Sequence, residues 1–178
     1  LYVKKIMPVS KDIARVMTEF SAMSPVEGYH RYLIEERRIP ASVLSHPCFE
    51  SKIRVDRFHN AVFPHYNASG LCGYELKNEG FTGFSRGGQK GTWASKPFPN
   101  DRILVVVESA IDALSYHTLH HPRQARYISI SGSMNPDQPK LIKSAIGRLP
   151  TQAQLIIATD NDTGCLLYTS PSPRDSIA

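Results

Sequence analysis

The sequence predicts an α/β fold in which a small α+β domain precedes a parallel β-α-β-α-β sheet. Three observations predict it. Apolar residues recur at helical spacing near the start of the chain. Short alternating runs broken by Gly, Asn and Pro occupy roughly 52–93. From Arg102 onward, continuous apolar runs alternate with helix-length segments. Alternation of the last kind implies parallel strands joined by right-handed crossovers. The expected boundaries are a helical segment at 1–28, the small domain at 29–98, the parallel sheet at 99–164, and a tail at 165–178 outside the fold.

The elements follow in order. Ile13, Val16, Met17 and Phe20 place a helix over 10–23, with Ser10 as its expected cap. A second helix is expected from Tyr29 to Arg38, stopped by Pro40, and a short helical turn at Ala41–Ser45. Arg54–Arg57, Ala61–Phe63, Cys72–Leu76 and Phe81–Phe84 read as strands of an antiparallel meander. Arg86–Trp93 is a glycine-rich loop carrying Arg86, Lys90 and Trp93. Ile103–Val107 is an unbroken β-branched run, as expected of a strand buried on both faces. A helix (Ser109–Leu119), a strand (Tyr127–Ile130), a helix (Pro136–Leu149, capped by Asn135) and a strand (Leu155–Ala158) complete the series. Cys165–Asp175 has no periodicity, resembles translated adapter sequence, and is set aside; a natural disordered tail is the alternative.

Composition narrows the class. With 41% hydrophobic and 21% charged residues, the 178-residue chain is globular. No apolar run reaches the roughly 20 residues of a membrane helix, and no secretory leader is evident, so no membrane partner is expected. Three widely spaced cysteines (Cys48, Cys72, Cys165) form no zinc-ribbon pattern and fit a reducing cytoplasm. The net charge of +5 favours a polyanionic partner.

The acidic residues are placed otherwise. In a parallel sheet, functional groups gather at the carboxyl ends of the strands. Glu108 directly follows one predicted strand, and Asp160 and Asp162 directly follow another. Three clustered carboxylates repel one another unless a cation neutralises them. Hard oxygen donors of this kind suit Mg²⁺ or Mn²⁺, which keeps waters and binds phosphate oxygens. A basic surface would then hold nucleic acid while the acidic edge brings metal to its phosphate. Taken singly, Asp160–Gly164 reads as a turn and Glu108 as a helix N-terminal charge; only their combination points to a metal site.

Val105–Leu114 and Ile156–Gly164 resemble the two acidic motifs of the toprim domain, and Ser131-Gly132-Ser133 resembles the small-residue turn of DnaG-type primases. Residues 29–96 resemble the small domain that precedes toprim in plasmid and mobile-element proteins. The resemblance implies a partial toprim fold, with Glu108, Asp160 and Asp162 as catalytic and metal-binding residues. It implies Mg²⁺ (or Mn²⁺) as cofactor, and DNA and nucleotides as partners. It also implies helicase or relaxase domains in the full-length protein. Arg86, Lys90, Trp93 and Gly132 would contact nucleic acid or phosphate, with Trp93 stacking on a base or lying in the core. The implied activity is metal-dependent nucleotidyl transfer in replication or mobilisation; a toprim nuclease and a non-catalytic DNA-binding module are the alternatives. The helix, strand and further acidic residue expected after Gly164 are replaced here, and no cysteine-rich zinc module precedes the domain.

Other signals read as structural. His117, His120 and His121 end a helix, where a cationic histidine is favoured, and His46, His59 and His65 lack ligand spacing. Asp112 reads as a first-turn charge, and Ser109 as a cap. Neither a serine-nucleophile elbow nor a P-loop is present.

Overall fold

The computed structural model describes residues 10–159. Asp160, Asp162, Cys165 and the tail therefore lie outside the described residues, as do the first nine. The first helix, α1 (Ile13–Ser21), is capped by Asp12, not Ser10: the Asp12 side chain accepts from the Arg15 amide at 3.0 Å. Its Val16 and Phe20 pack under a five-stranded antiparallel sheet, β1 (Ser24–Pro25), β2 (Arg54–Val55), β3 (Ala61–Asn67), β4 (Gly70–Asn78) and β5 (Phe81–Phe84). Where a longer helix was expected from Tyr29 to Arg38, the chain makes only a π-helical turn at Tyr32–Glu36. Leu33 is drawn fully into the core there, and Arg38 turns the chain with a left-handed φ of 57°. A short helix, α2 (Ala41–Leu44), and a 3₁₀ turn at Pro47–Phe49 bring Val43, Leu44, Cys48 and Phe49 into the same core.

The second sheet has the order β6-β8-β7-β9, from β6 (Trp93–Ala94), β7 (Ile103–Val107), β8 (Ala125–Ser129) and β9 (Gln154–Ala158). Strands β8 and β9 both run parallel to β7 and flank it; β6 is antiparallel at the edge. Helix α3 (Ala110–His120) links β7 to β8, and α4 (Gln138–Ile146) links β8 to β9. The pleat explains their placement: Val105 and Val107 point to the face covered by α3, Leu104 and Val106 to the face packed by Ile142 and Ala145 of α4. The two helices thus leave β7 and β8 on opposite faces, which opens a crevice between those carboxyl ends.

One core serves both halves. Phe63 of β3 and Phe49 flank Trp93, with ring centroids 6.3 Å apart in each pair, and the same cluster runs on through Val105, Leu114 and Tyr127. Among the described residues no helix is long and apolar enough to cross a membrane.

Candidate functional site

Glu108 is the first residue beyond β7 and is half-buried. It is followed by the capping box of α3: the Ser109 hydroxyl accepts from the Asp112 amide at 3.3 Å, and the Asp112 carboxylate accepts from the Ser109 amide at 2.8 Å. Both Ser109 and Asp112 are therefore used in starting the helix. The register pairs Val107 with Ala158, so the strand from which Asp160 and Asp162 follow ends beside the strand that delivers Glu108.

On the other side of Glu108 lies the turn after β8. The Glu108 carbonyl accepts from the Gly132 amide at 3.2 Å and from the Ser129 hydroxyl at 3.1 Å. Ser131 and Gly132 both hold left-handed backbone, φ 55° and 78°. Such a conformation is natural for Gly132 and strained for Ser131. Ser131 is held by side chains from the antiparallel sheet. Its hydroxyl lies 3.0 Å from His65 Nε2 and donates to Glu75 Oε2 at 3.2 Å. His65 is fully buried, and burial pushes its pKa down to about 4, so the ring is neutral. With Nδ1 protonated and donating to the Gly91 carbonyl at 3.0 Å, Nε2 is left as an acceptor. The single Ser131 hydrogen is then shared between two acceptors. Lys77 neutralises Glu75 at 3.0 Å.

The glycine-rich loop is stitched to the same edge. Buried Gln138 donates to the carbonyls of Gly91 and Ile130, at 2.8 and 2.6 Å, and Asn135 donates to the Lys90 carbonyl at 2.8 Å. Lys90 Nζ donates to the Ser133 carbonyl at 2.6 Å. Burial lowers the Lys90 pKa, while the charges of Glu75 and Glu108 raise it, so the ammonium sits in the field of both carboxylates. No Cβ placed on Gly132 would meet an atom within 4 Å, so the face of that turn is open.

The sequence-predicted residues thus divide. Glu108, Lys90 and Gly132 share one edge. Arg86 is exposed in a groove against α1 and β4. Trp93 is corrected to a core residue: it is fully buried, and its Nε1 donates to the Lys52 carbonyl at 2.8 Å, so no ring face is offered to a base. His117 is likewise no helix-terminal cation. It is buried against His46 and Phe49, meets the Tyr127 hydroxyl at 2.9 Å, and has its pKa pushed down to about 4 by burial. Glu75 and Gln138 escaped the sequence reading, which took His65 only as lacking ligand spacing and Ser131 only as part of a small-residue turn.

Among the described residues, no group of three or more His, Cys, Asp and Glu side chains converges on a metal-sized site. What they show still suits Mg²⁺. Glu108 follows one strand, Asp160 and Asp162 follow the neighbouring strand in sequence, and the oxygens these side chains would offer are hard.

No curated protein matches the chain. Residues 31–101 match a family model described as protein of unknown function (DUF3991). Residues 105–165, which take in Glu108, most of β7, β8, β9 and the DxD, match the model described as toprim-like, a likeness that suggests a function linked to metal binding and nucleic acid.

Proposed function

We propose that the chain carries the catalytic centre of a primase-like, Mg²⁺-dependent nucleotidyltransferase acting on nucleic acid, with Glu108, Asp160 and Asp162 as metal ligands. The supporting observation is topological: Glu108 ends the central strand of the parallel sheet, and the strand that runs into the DxD pairs with it in register. Bound there, Mg²⁺ would neutralise phosphate charge and lower the barrier to attack at phosphorus. The chain's own groups supply the rest. Lys90 lies in the field of Glu108 and would take a phosphate oxygen by exchanging its bond to the Ser133 carbonyl. The open face of Gly132 lets a phosphate approach the backbone. The clamp of His65 and Glu75 on Ser131 helps to fix this turn.

Calorimetric titration with Mn²⁺ tests the reading in the chain and in Glu108→Gln and Asp160→Asn. Mn²⁺ binding should be lost in both variants while thermal stability is kept, since neutralising one of several clustered carboxylates relieves repulsion. Equal Mn²⁺ affinity in all three would sink the assignment. Incorporation of labelled nucleotide, as against release of nucleotide from an oligonucleotide, then separates transfer from hydrolysis.

A further inference from the structure

The antiparallel sheet has a second surface that the metal site does not use. Three of its phenylalanines are exposed: Phe58 at 65%, Phe81 at 47% and Phe84 at 37%. Phe58 and Phe81 line one groove of about 570 Å³, between α1, the turn before β3, and the edge strand β5, with Phe84 at its border. Arg15, Arg57 and Arg86 line it too. The Arg57 guanidinium stacks on the Phe58 ring, 4.7 Å from its centroid. Arg57 and Arg86 are exposed and form no ion pair among the described residues.

The rings are seated in advance. A Cβ on Gly83 would stand 2.8 Å from the Phe81 ring, and one on Gly73 would stand 2.7 Å from the Phe84 ring. Each ring therefore lies against backbone that only glycine leaves free. An aromatic held this way loses little entropy on binding. The two acids of the groove are engaged internally. Glu19 accepts from Arg15 at 2.7 Å and from the Tyr74 hydroxyl at 2.7 Å. Asp56 accepts from the amides of Phe58 and Asn60 and from the Asn60 side chain, each at 2.9 Å. The outward-facing chemistry is thus aromatic faces interleaved with arginine. Such a surface suits unpaired bases stacked on rings, with phosphates met by guanidinium groups. The Phe84 ring itself turns to the other face of the sheet, where it meets His65 edge to face at 5.2 Å.

We propose that this groove is a single-stranded nucleic-acid track, with Phe58 and Phe81 as stacking platforms and Arg57 and Arg86 as phosphate contacts. The proposal deepens the reading above and rests on its nucleic-acid link. A duplex, whose bases are already stacked, gains less from it.

The test is fluorescence anisotropy with a labelled mixed-sequence single-stranded oligonucleotide and its duplex, together with the Mn²⁺ titration. Phe58→Ala and Phe81→Leu are each expected to weaken single-strand binding about 5- to 150-fold, with Mn²⁺ affinity unchanged. Phe58→Trp restores it. Arg57→Ala lowers the salt slope by about one. Phe58 is mostly exposed, so its truncation leaves folding intact. Single-strand binding unchanged in both phenylalanine variants overturns the track, as does equal affinity for duplex; Glu108-dependent Mn²⁺ binding then leaves the metal reading standing. Absence of oligonucleotide binding overturns it too, with the Mn²⁺ titration judging the metal site separately. Light scattering that shows a dimer dispersed by Phe58→Ala, with nucleic-acid affinity unaltered, would give the groove to a second copy of the chain.

Discussion

The two sheets distribute polar chemistry in opposite ways. In the parallel sheet, β7 is buried on both faces from Leu104 to Val107, so nothing reactive can stand within the strand. Chemistry is pushed to the carboxyl edge, where Glu108 and the turn at Ser131 lie. In the antiparallel sheet, the pleat sends Tyr74 and Leu76 of β4 toward α1, and Gly73, Glu75 and Lys77 to the opposite face. On that second face, Ala61 and Phe63 of β3 build the shared core, and His65 and Glu75 continue the row as a polar clamp. A strand buried on both sides locates function at its end; a strand that alternates locates it by register.

If the halves work as one body, the largest effect comes from their shared ring. Trp93→Ala should cost about 3–5 kcal/mol and melt both sheets in one transition, read by calorimetry and circular dichroism. Two separated transitions would show that the sheets are independent. Acidification should act next. His65, in the clamp, and His117, in the core, are both held neutral with pKa values near 4, against 6.5 for a free imidazole. The unfolded chain therefore takes up protons first as pH falls. Stability present above about pH 6.5 is lost progressively toward pH 4. The melting temperature should fall across that window, and His117→Gln should remove part of the slope. A flat profile would mean that neither ring is kept neutral.

The parallel half was legible because its signals are local. Ile103–Val107 and Leu155–Ala158 are continuous apolar runs, and Glu108 stands at a strand end by topology alone. The clamp was not legible, because His65, Glu75 and Ser131 are brought together only by tertiary pairing. Separations of 66 and 56 residues leave no spacing to read. Trp93 was ambiguous for a related reason: a tryptophan in a glycine-rich loop looks like a platform until the two-residue strand β6 draws it into the core. The Tyr29–Arg38 segment carried helical periodicity, but burial of Leu33 and the left-handed turn at Arg38 outweighed propensity. Phe81 and Phe84 fell within a recognised strand, whose alternation alone does not say which of its rings stays exposed.

The smallest effect sharpens the boundary between structure and site at Glu108 itself. Ser109 and Asp112 adjoin the proposed metal ligand, yet their bonds are spent on each other: the Asp112 carboxylate holds the Ser109 amide at 2.8 Å and its hydroxyl at 2.7 Å. Ser109→Ala removes both bonds of the hydroxyl, from the Asp112 amide and to its carboxylate, while leaving the amide-to-Asp112 bond in place. The expected cost is about 1 kcal/mol, a drop of roughly 2–4 °C in melting temperature for a chain of this size. Mn²⁺ affinity should stay within about twofold, because the Glu108 backbone is also fixed from the other side by Gly132 and Ser129. If the affinity instead fell tenfold or more with the same small change in melting, the cap would be setting the carboxylate's position. The parallel sheet would then share with the antiparallel one the habit of building its site from side chains that hold other side chains.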